Sequence, residues 1–400
     1  MSKITHATII PLIGGEAIAS QQVFDSKPEY ILSYSVFKDN EKHLLNYWKN
    51  EVPYFVLDEG GKAPYTVDVM SSVCPCGGLS MLSDDYGDDN ANNQWMIKTA
   101  EYTLGTVRPK VFWGENAPDF SGQIGKNIRE RLRKIGKDNG YTMSVYRTKS
   151  LFHGVAQVRE RTFYFFWKGD KTPLLNYFNK PYLPIEDVIR GVTTNFQQDP
   201  INKNTPSENP YYRYILEVIH GGISHAEFSR TLESASVRTA DSYGYIERSN
   251  HDYIKVAEWM KEKGFEEEVQ KCIYKAGKLK DGLEVMHRGV TVPKDRIGAF
   301  VGHYPMMLTH PDKDRFITYR EAMTIMGLPS DFELLKPNTK SRNHICQNVP
   351  VQTAADMASE VLAVLNNKRP MMDVDYVLQH NATQSEEYDV VQNTLDDFFV

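Results

Sequence analysis

Ala7 to Leu12 is an unbroken apolar run, closed by Gly14-Gly15 and followed from Glu16 to Phe24 by a helical pattern. A short apolar run that ends in glycine and turns into a helix reads as a strand buried on both faces, which only a parallel sheet covered by helices provides. The alternation continues. Tyr30 to Phe37 reads as a second strand, Val67 to Val73 and Lys110 to Gly114 as further buried strands, and Trp95 to Val107 as a helix between the last two. Thr162 to Trp167 is another strand. Strand and helix in turn predict an α/β fold with a mostly parallel sheet, whose ligands bind at the carboxyl ends of the strands.

After Trp167 the pattern changes to Pro-, Asn- and Ser-rich turns and helix-like pieces, notably His251 to Leu283. An amphipathic helix follows Arg320, and Gln352 to Asn367 is a further helix. Four hundred residues exceed what one core of about 250–300 residues supports, so two domains are expected. Four cysteines are too few for a disulfide scaffold and suit a reducing interior. The sequence shows neither an apolar membrane span nor a signal-peptide pattern, which points to a cytoplasmic location, nucleoid-associated, or a nuclear one in a eukaryote.

The net charge of −6 is unevenly placed: Met371 to Val400 holds seven carboxylates and no Lys or Arg, leaving the rest at about +1. The basic stretch Lys126 to Lys149 reads first as a solvated helix face. Charge therefore permits a nucleic-acid partner without demanding one.

Three segments carry candidate chemistry. Cys74-Pro75-Cys76-Gly77-Gly78 follows a predicted strand, where backbone amides stabilise a thiolate; the ordinary alternative is a structural turn. Half a metal site is disfavoured because Cys272 and Cys346 lack ligand spacing, so no metal is expected. Glu115, in Trp113-Gly114-Glu115-Asn116-Ala117, ends an apolar strand as a potential general acid or donor to a ring nitrogen, or simply caps a helix. Gln157, Arg159 and Arg161 alternate into the next strand and would share one face.

In this order the three segments resemble the motif series of cytosine-C5 DNA methyltransferases. Pro75-Cys76 matches the family's Pro-Cys, Glu115-Asn116-Ala117 its Glu-Asn-Val, and Gln157 to Arg161 its Gln-x-Arg-x-Arg. Arg315 to Phe332 resembles the ninth motif, and Asn348-Val349-Pro350-Val351 with its helix the tenth. The resemblance implies a Rossmann-like methyltransferase sheet with a smaller inserted target-recognition domain. It implies S-adenosylmethionine as cofactor, held by Ile13, Gly14, Gly15, Asn348 and Val349. The implied catalytic residues are Cys76 as nucleophile, Glu115, and Arg161 with Arg159 and Gln157 in support, acting on a cytosine flipped out of double-stranded DNA.

Domains would run 1–167 with 341–366 for catalysis and 168–340 for target recognition, with 367–400 as an acidic flexible tail. The departures lie around the cofactor: Leu12 stands where the first motif has glycine, so a changed loop is expected there. The acid after the second strand is reduced to the candidates Asp39, Asn40 and Glu41. A tRNA cytosine methyltransferase and a catalytically silent DNA-binding protein remain alternatives. Gln392, Leu395, Phe398 and Phe399 resemble a sliding-clamp-binding peptide, and one helical turn would put the last three on one face.

Overall fold

The computed structural model describes residues 3–80, 87, 90–197, 199–232, 237–238, 246, 251–283, 285, 290–302, 304–335 and 339–381. They divide into two compact units, one from Met1–Tyr182 with Ile325–Tyr388, the other from Leu183–Thr324. The expected boundaries at 167 and 340 differ from this division. The four clamp-peptide residues lie outside the described residues.

The strands in chain order are β1 His6–Ile9, β2 Ile31–Ser33, β3 Tyr54–Val56, β4 Val69–Val73, β5 Val111–Asn116, β6 Tyr141–Lys149, β7 Glu160–Lys168 and β8 Thr172–Pro173. They continue with β9 Val237–Arg238, β10 Thr291–Val292, β11 Met371–Met372 and β12 Tyr376–His380. Eight of them form the sheet of the first unit in the order β12-β6-β7-β5-β4-β1-β2-β3. Only β7 runs against its neighbours. The chain moves outward from β1 through β2 to β3, then restarts on β1's other side with β4 and β5, and in open α/β sheets ligands bind at the strands' carboxyl ends beside such a reversal.

Burial explains the strand composition. Every residue of β1, β2, β4 and β5 is buried, so these strands read as continuous apolar or small runs. Aromatic pairs fasten β7 to β5 on both faces: Phe166 stacks on Phe112 and Phe165 on Trp113, with ring centroids 5.7 and 6.2 Å apart.

Four helices support this half of the unit: α1 Gly15–Phe24, α2 Lys38–Tyr47, α3 Gln94–Tyr102 and α4 Lys126–Asp138. α4 buries Ile128, Leu132 and Gly136 at four-residue spacing and turns its basic residues outward, as the sequence suggested. There Arg133 pairs with Asp375 at 2.5 Å and Lys134 with Asp138 at 2.5 Å. The predicted helix Trp95 to Val107 continues past α3 into a π-type turn over Thr103–Val107. The second strand is shorter than Tyr30 to Phe37, because Ser35–Phe37 coils into a 3-10 turn whose Ser35 is tied to Asp58.

The flexible tail expected from 367 is corrected for its first part. β11 pairs antiparallel with β8, and β12 lies parallel to β6 at the sheet edge. The carboxylates that made this stretch look like a solvated tail are spent on ion pairs: Asp375 with Arg133, and Asp373 with Lys171.

The second unit has its own core, including Tyr212, Tyr214, Phe228, Val256, Met260 and Cys272. The helical stretch His251 to Leu283 is two helices, Tyr253–Glu262 and Glu266–Lys280, broken at Gly264 with φ 80°. A capping box, Ser224 with Glu227, starts the helix His225–Thr231. β9 and β10 form an antiparallel pair.

Candidate active site

β4, β5 and β7 are neighbours in the sheet, and their pairing sets the site. Val73 lies opposite Glu115, and Glu115 opposite Phe163. Cys76 stands three residues beyond Val73, and Arg161 two residues before Phe163, so thiol, carboxylate and guanidinium come from three adjacent strands at one end of the sheet. Arg161 Nε donates to Glu115 Oε1 at 2.6 Å, and both side chains are nearly buried. A second nitrogen of Arg161 donates to the Glu160 carbonyl at 2.6 Å, which fixes the plane of the guanidinium.

Cys76 is half-buried, while Cys74 is buried with its sulfur 3.2 Å from Ser72 Oγ. Burial raises the Cys76 thiol above its usual value, Arg161 and Arg159 oppose that rise, and Glu115 adds to it. Glycine after the thiol is a packing requirement: a Cβ on Gly78 would meet Asn90 Cβ at 2.4 Å and the Gly87 carbonyl at 2.6 Å. Among the described residues no group of three or more His, Cys, Asp or Glu side chains is arranged for a metal.

Arg159 is 1% exposed, and burial together with Arg161 lowers its guanidinium to about 9. Gln157 is fully buried and faces another segment, its amide donating to the Ile325 carbonyl at 3.1 Å. Only Arg161 of the three lies in β7; Gln157 and Arg159 precede it. Gln157 anchors the turn that presents the two arginines.

The glycine loop follows β1. Ile10 and Leu12 both have φ 53°, and Gly14 has φ 100°. Leu12 thus takes the left-handed backbone that glycine adopts freely, at a cost of about 1–2 kcal/mol for a residue with a Cβ. Leu44 of α2 packs so closely on Gly14 that a Cβ there would meet it at 2.4 Å. The tenth-motif segment returns to this loop: the Gly15 amide donates to Asn348 Oδ1 at 2.8 Å. Ile13 and Val349 are fully buried.

Among the acidic candidates, Asp39 is exposed and within 3.4 Å of Lys42. Glu41 is buried, accepts from Tyr54 OH at 2.6 Å, and is raised to about 8 by burial. Glu16, which the sequence did not single out, is also buried. It accepts from Thr8 Oγ1 at 2.9 Å and is raised to about 7 by burial. Among the described residues, Glu16 Oε2, Glu41 Oε1 and Asn348 Nδ2 are buried with no hydrogen-bond partner. Unused buried polar atoms are costly, and the Asn348 donor sits against the glycine loop, so the residues present suit a polar cofactor there.

Fold and site together define a class: a doubly wound α/β protein with a thiol and a carboxylate–guanidinium pair at the ends of neighbouring strands. Comparison with known proteins narrows it. The profile of the C-5 cytosine-specific DNA methylase family matches residues 40–363, and the chain belongs to that family. Type II methyltransferase M.PspPI of Psychrobacter sp. (strain TA137) is 22% identical over 314 residues, covering 75% of this chain; the match spans 65% of that relative's length. Among solved structures, a protein described as a prophage-encoded DNA modification methyltransferase of E. coli has a TM-score of 0.55 at 14% identity, covering 91% of this chain and 99% of its own. The Entamoeba histolytica methyltransferase EhMeth gives 0.54 at 12% identity, with the same coverage of 91% and 99%. These two likenesses concern the fold.

Proposed function

We propose that this chain is a DNA cytosine-C5 methyltransferase that uses S-adenosylmethionine and forms a covalent adduct through Cys76. The observation that carries the reading is the Glu115–Arg161 pair at 2.6 Å, beside the strand end that bears Cys76. S-adenosylmethionine, when bound, supplies an electrophilic methyl group. Ile13, Gly14, Gly15, Asn348 and Val349 would hold it, with the unused Asn348 amide as a hydrogen-bond donor.

Cytosine C5 is a poor nucleophile until a thiolate adds to C6. Cys76 forms that S–C6 bond, and the electron pair displaced from the C5–C6 double bond makes C5 nucleophilic. Glu115 holds the ring N3 and exocyclic amine as charge develops there, and Arg161 contacts O2. Arg159 supports Arg161 and favours the Cys76 thiolate, and Gln157 positions their turn. After C5 carries the methyl group, loss of its proton to a base and departure of Cys76 restore the double bond. C6 is unreachable inside a duplex, so the cytosine is extruded. The second unit, Leu183–Thr324, is the candidate for target recognition, and Gln392, Leu395, Phe398 and Phe399 for attachment to a sliding clamp.

The test is incubation with S-adenosylmethionine and mixed-sequence duplexes containing 5-fluorocytosine, read on a denaturing gel. A shifted band that Cys76→Ala abolishes supports the reading. No adduct on duplex DNA but one on tRNA carrying the same base transfers the activity to RNA. Failure on both, with the wild-type protein still binding duplex, favours a silent DNA-binding protein.

A further inference from the structure

The helix Thr339–Gln347 carries Arg342 one turn before Cys346, two residues that share a helix face. Arg342 is 6% exposed, its Nε is buried, and it makes no hydrogen bond or ion pair among the described residues. Two other arginines among the described residues have carboxylate partners. Arg315 makes two bonds to Glu321 at 2.8 and 2.6 Å, and Arg161 is held by Glu115. A guanidinium cannot shed its proton to escape burial, so an unmatched one stands ready for an anion.

Its surroundings narrow the anion. The Cys346 thiol lies within electrostatic reach of both Arg342 and Arg159, and Arg159 within reach of Arg161, Glu115 and Cys76. Arg161 and Arg159 thus flank Glu115 beside Cys76, and Cys346 links Arg342 to Arg159, so along this line the guanidiniums outnumber the carboxylate. The methionine end of the cofactor carries an ammonium and a sulfonium near its carboxylate, so it is poorly matched to that surplus. A phosphodiester brings negative charge with nothing to offset it, and the fork of the guanidinium fits its oxygens.

We propose that Arg342 grips a backbone phosphate of the target strand next to the extruded cytosine, holding the strand while the base occupies the site of Cys76 and Glu115. This rests on the methyltransferase reading above and assigns a DNA-backbone contact to a residue outside its catalytic set. Arg342 acts on binding and extrusion and takes no part in bond making.

The experiment uses the full chain as wild type, Arg342→Gln and Arg342→Lys. Duplex affinity is measured from about 50 to 200 mM salt, and S-adenosylmethionine affinity separately. Loss of one phosphate contact should flatten the slope of log affinity against log salt by about 0.9 in Arg342→Gln. Arg342→Lys should restore the slope, and cofactor affinity should stay within about twofold. The free Arg342→Gln protein should melt no lower than wild type, since an unmatched cation has left the interior; a lower melting point would assign Arg342 to the scaffold. An unchanged slope overturns the proposal, as does a tenfold loss of cofactor affinity at constant slope.

A second measurement needs no variant. Neutral methylphosphonates placed one at a time around the trapped 5-fluorocytosine should reveal one position that weakens wild-type binding, and insensitivity at every position overturns the contact. If wild type forms no adduct on the unmodified duplex, the methyltransferase reading fails instead, and the two failures are told apart.

Discussion

Burial opposes ionisation of the Cys76 thiol, and the opposing help comes from Arg161 and Arg159. Glu115 pairs with Arg161 at 2.6 Å, and in the proposed mechanism it also holds the base. Glu115→Gln keeps the shape and removes the charge, so kcat should fall by about 10²–10³, the cost of losing one group that stabilises developing charge. Single-turnover methylation of a duplex measures this, and near-normal turnover would remove Glu115 from the mechanism.

Glu16 makes a stability prediction at the same scale. Its carboxyl is neutral in the folded protein up to about pH 7, against 4.5 when unfolded. Between those values the unfolded chain loses a proton that the folded chain keeps, so stability falls as pH rises through that window and levels off above it. A shift of this size corresponds to roughly 3 kcal/mol. Glu16→Gln should flatten that part of the curve, as urea midpoints at pH 5 and 7.5 would show; an unaltered slope would mean that Glu16 ionises freely.

At the scale of elements, the start of α1 is held against the tenth-motif segment by one hydrogen bond and close contact. A Cβ at Gly15 would approach the Asn348 side chain and the Val349 carbonyl to 2.4 Å each. Backbone cannot yield as a flexible side chain can, so Gly15→Ala should push the two segments apart. Cofactor affinity, followed by calorimetry, should fall tenfold or more, and unchanged affinity would place the cofactor elsewhere.

β12 makes the complementary case at the sheet edge. Gln379 bonds both backbone groups of Leu175, and Asn381 bonds Thr148 and both backbone groups of Phe178. A chain ending at Lys368 loses all of these and should melt several degrees lower, while one ending at Asn381 should match the full chain. Equal melting points for all three would mean that β12 adds nothing to stability.

At the scale of the whole molecule, the residues proposed as catalytic lie at strand ends of one unit while the second keeps its own core. Deleting Gln392 to Val400 should leave methylation of short duplexes unchanged and abolish binding to a sliding clamp; collapse of short-duplex activity would make the segment structural.

By itself the sequence determined the strand-to-turn junctions that carry Cys76, Glu115 and Arg161. Their signals are local: an apolar run sets a buried strand, and a glycine or a change of polarity ends it. It also determined the helical face of α4 and the helix after Pro350. Tertiary structure decided what depends on partners far along the chain. It drew β12 out of an apparently flexible tail, because its carboxylates and amides find partners in segments more than 200 residues earlier. It buried Glu16 and Glu41 as largely neutral groups, since burial is a property of the packed layer and not of the residue. Among the described residues it also left Arg342 without a counter-ion, which no local pattern reveals, because a partner is defined only by the packed neighbours.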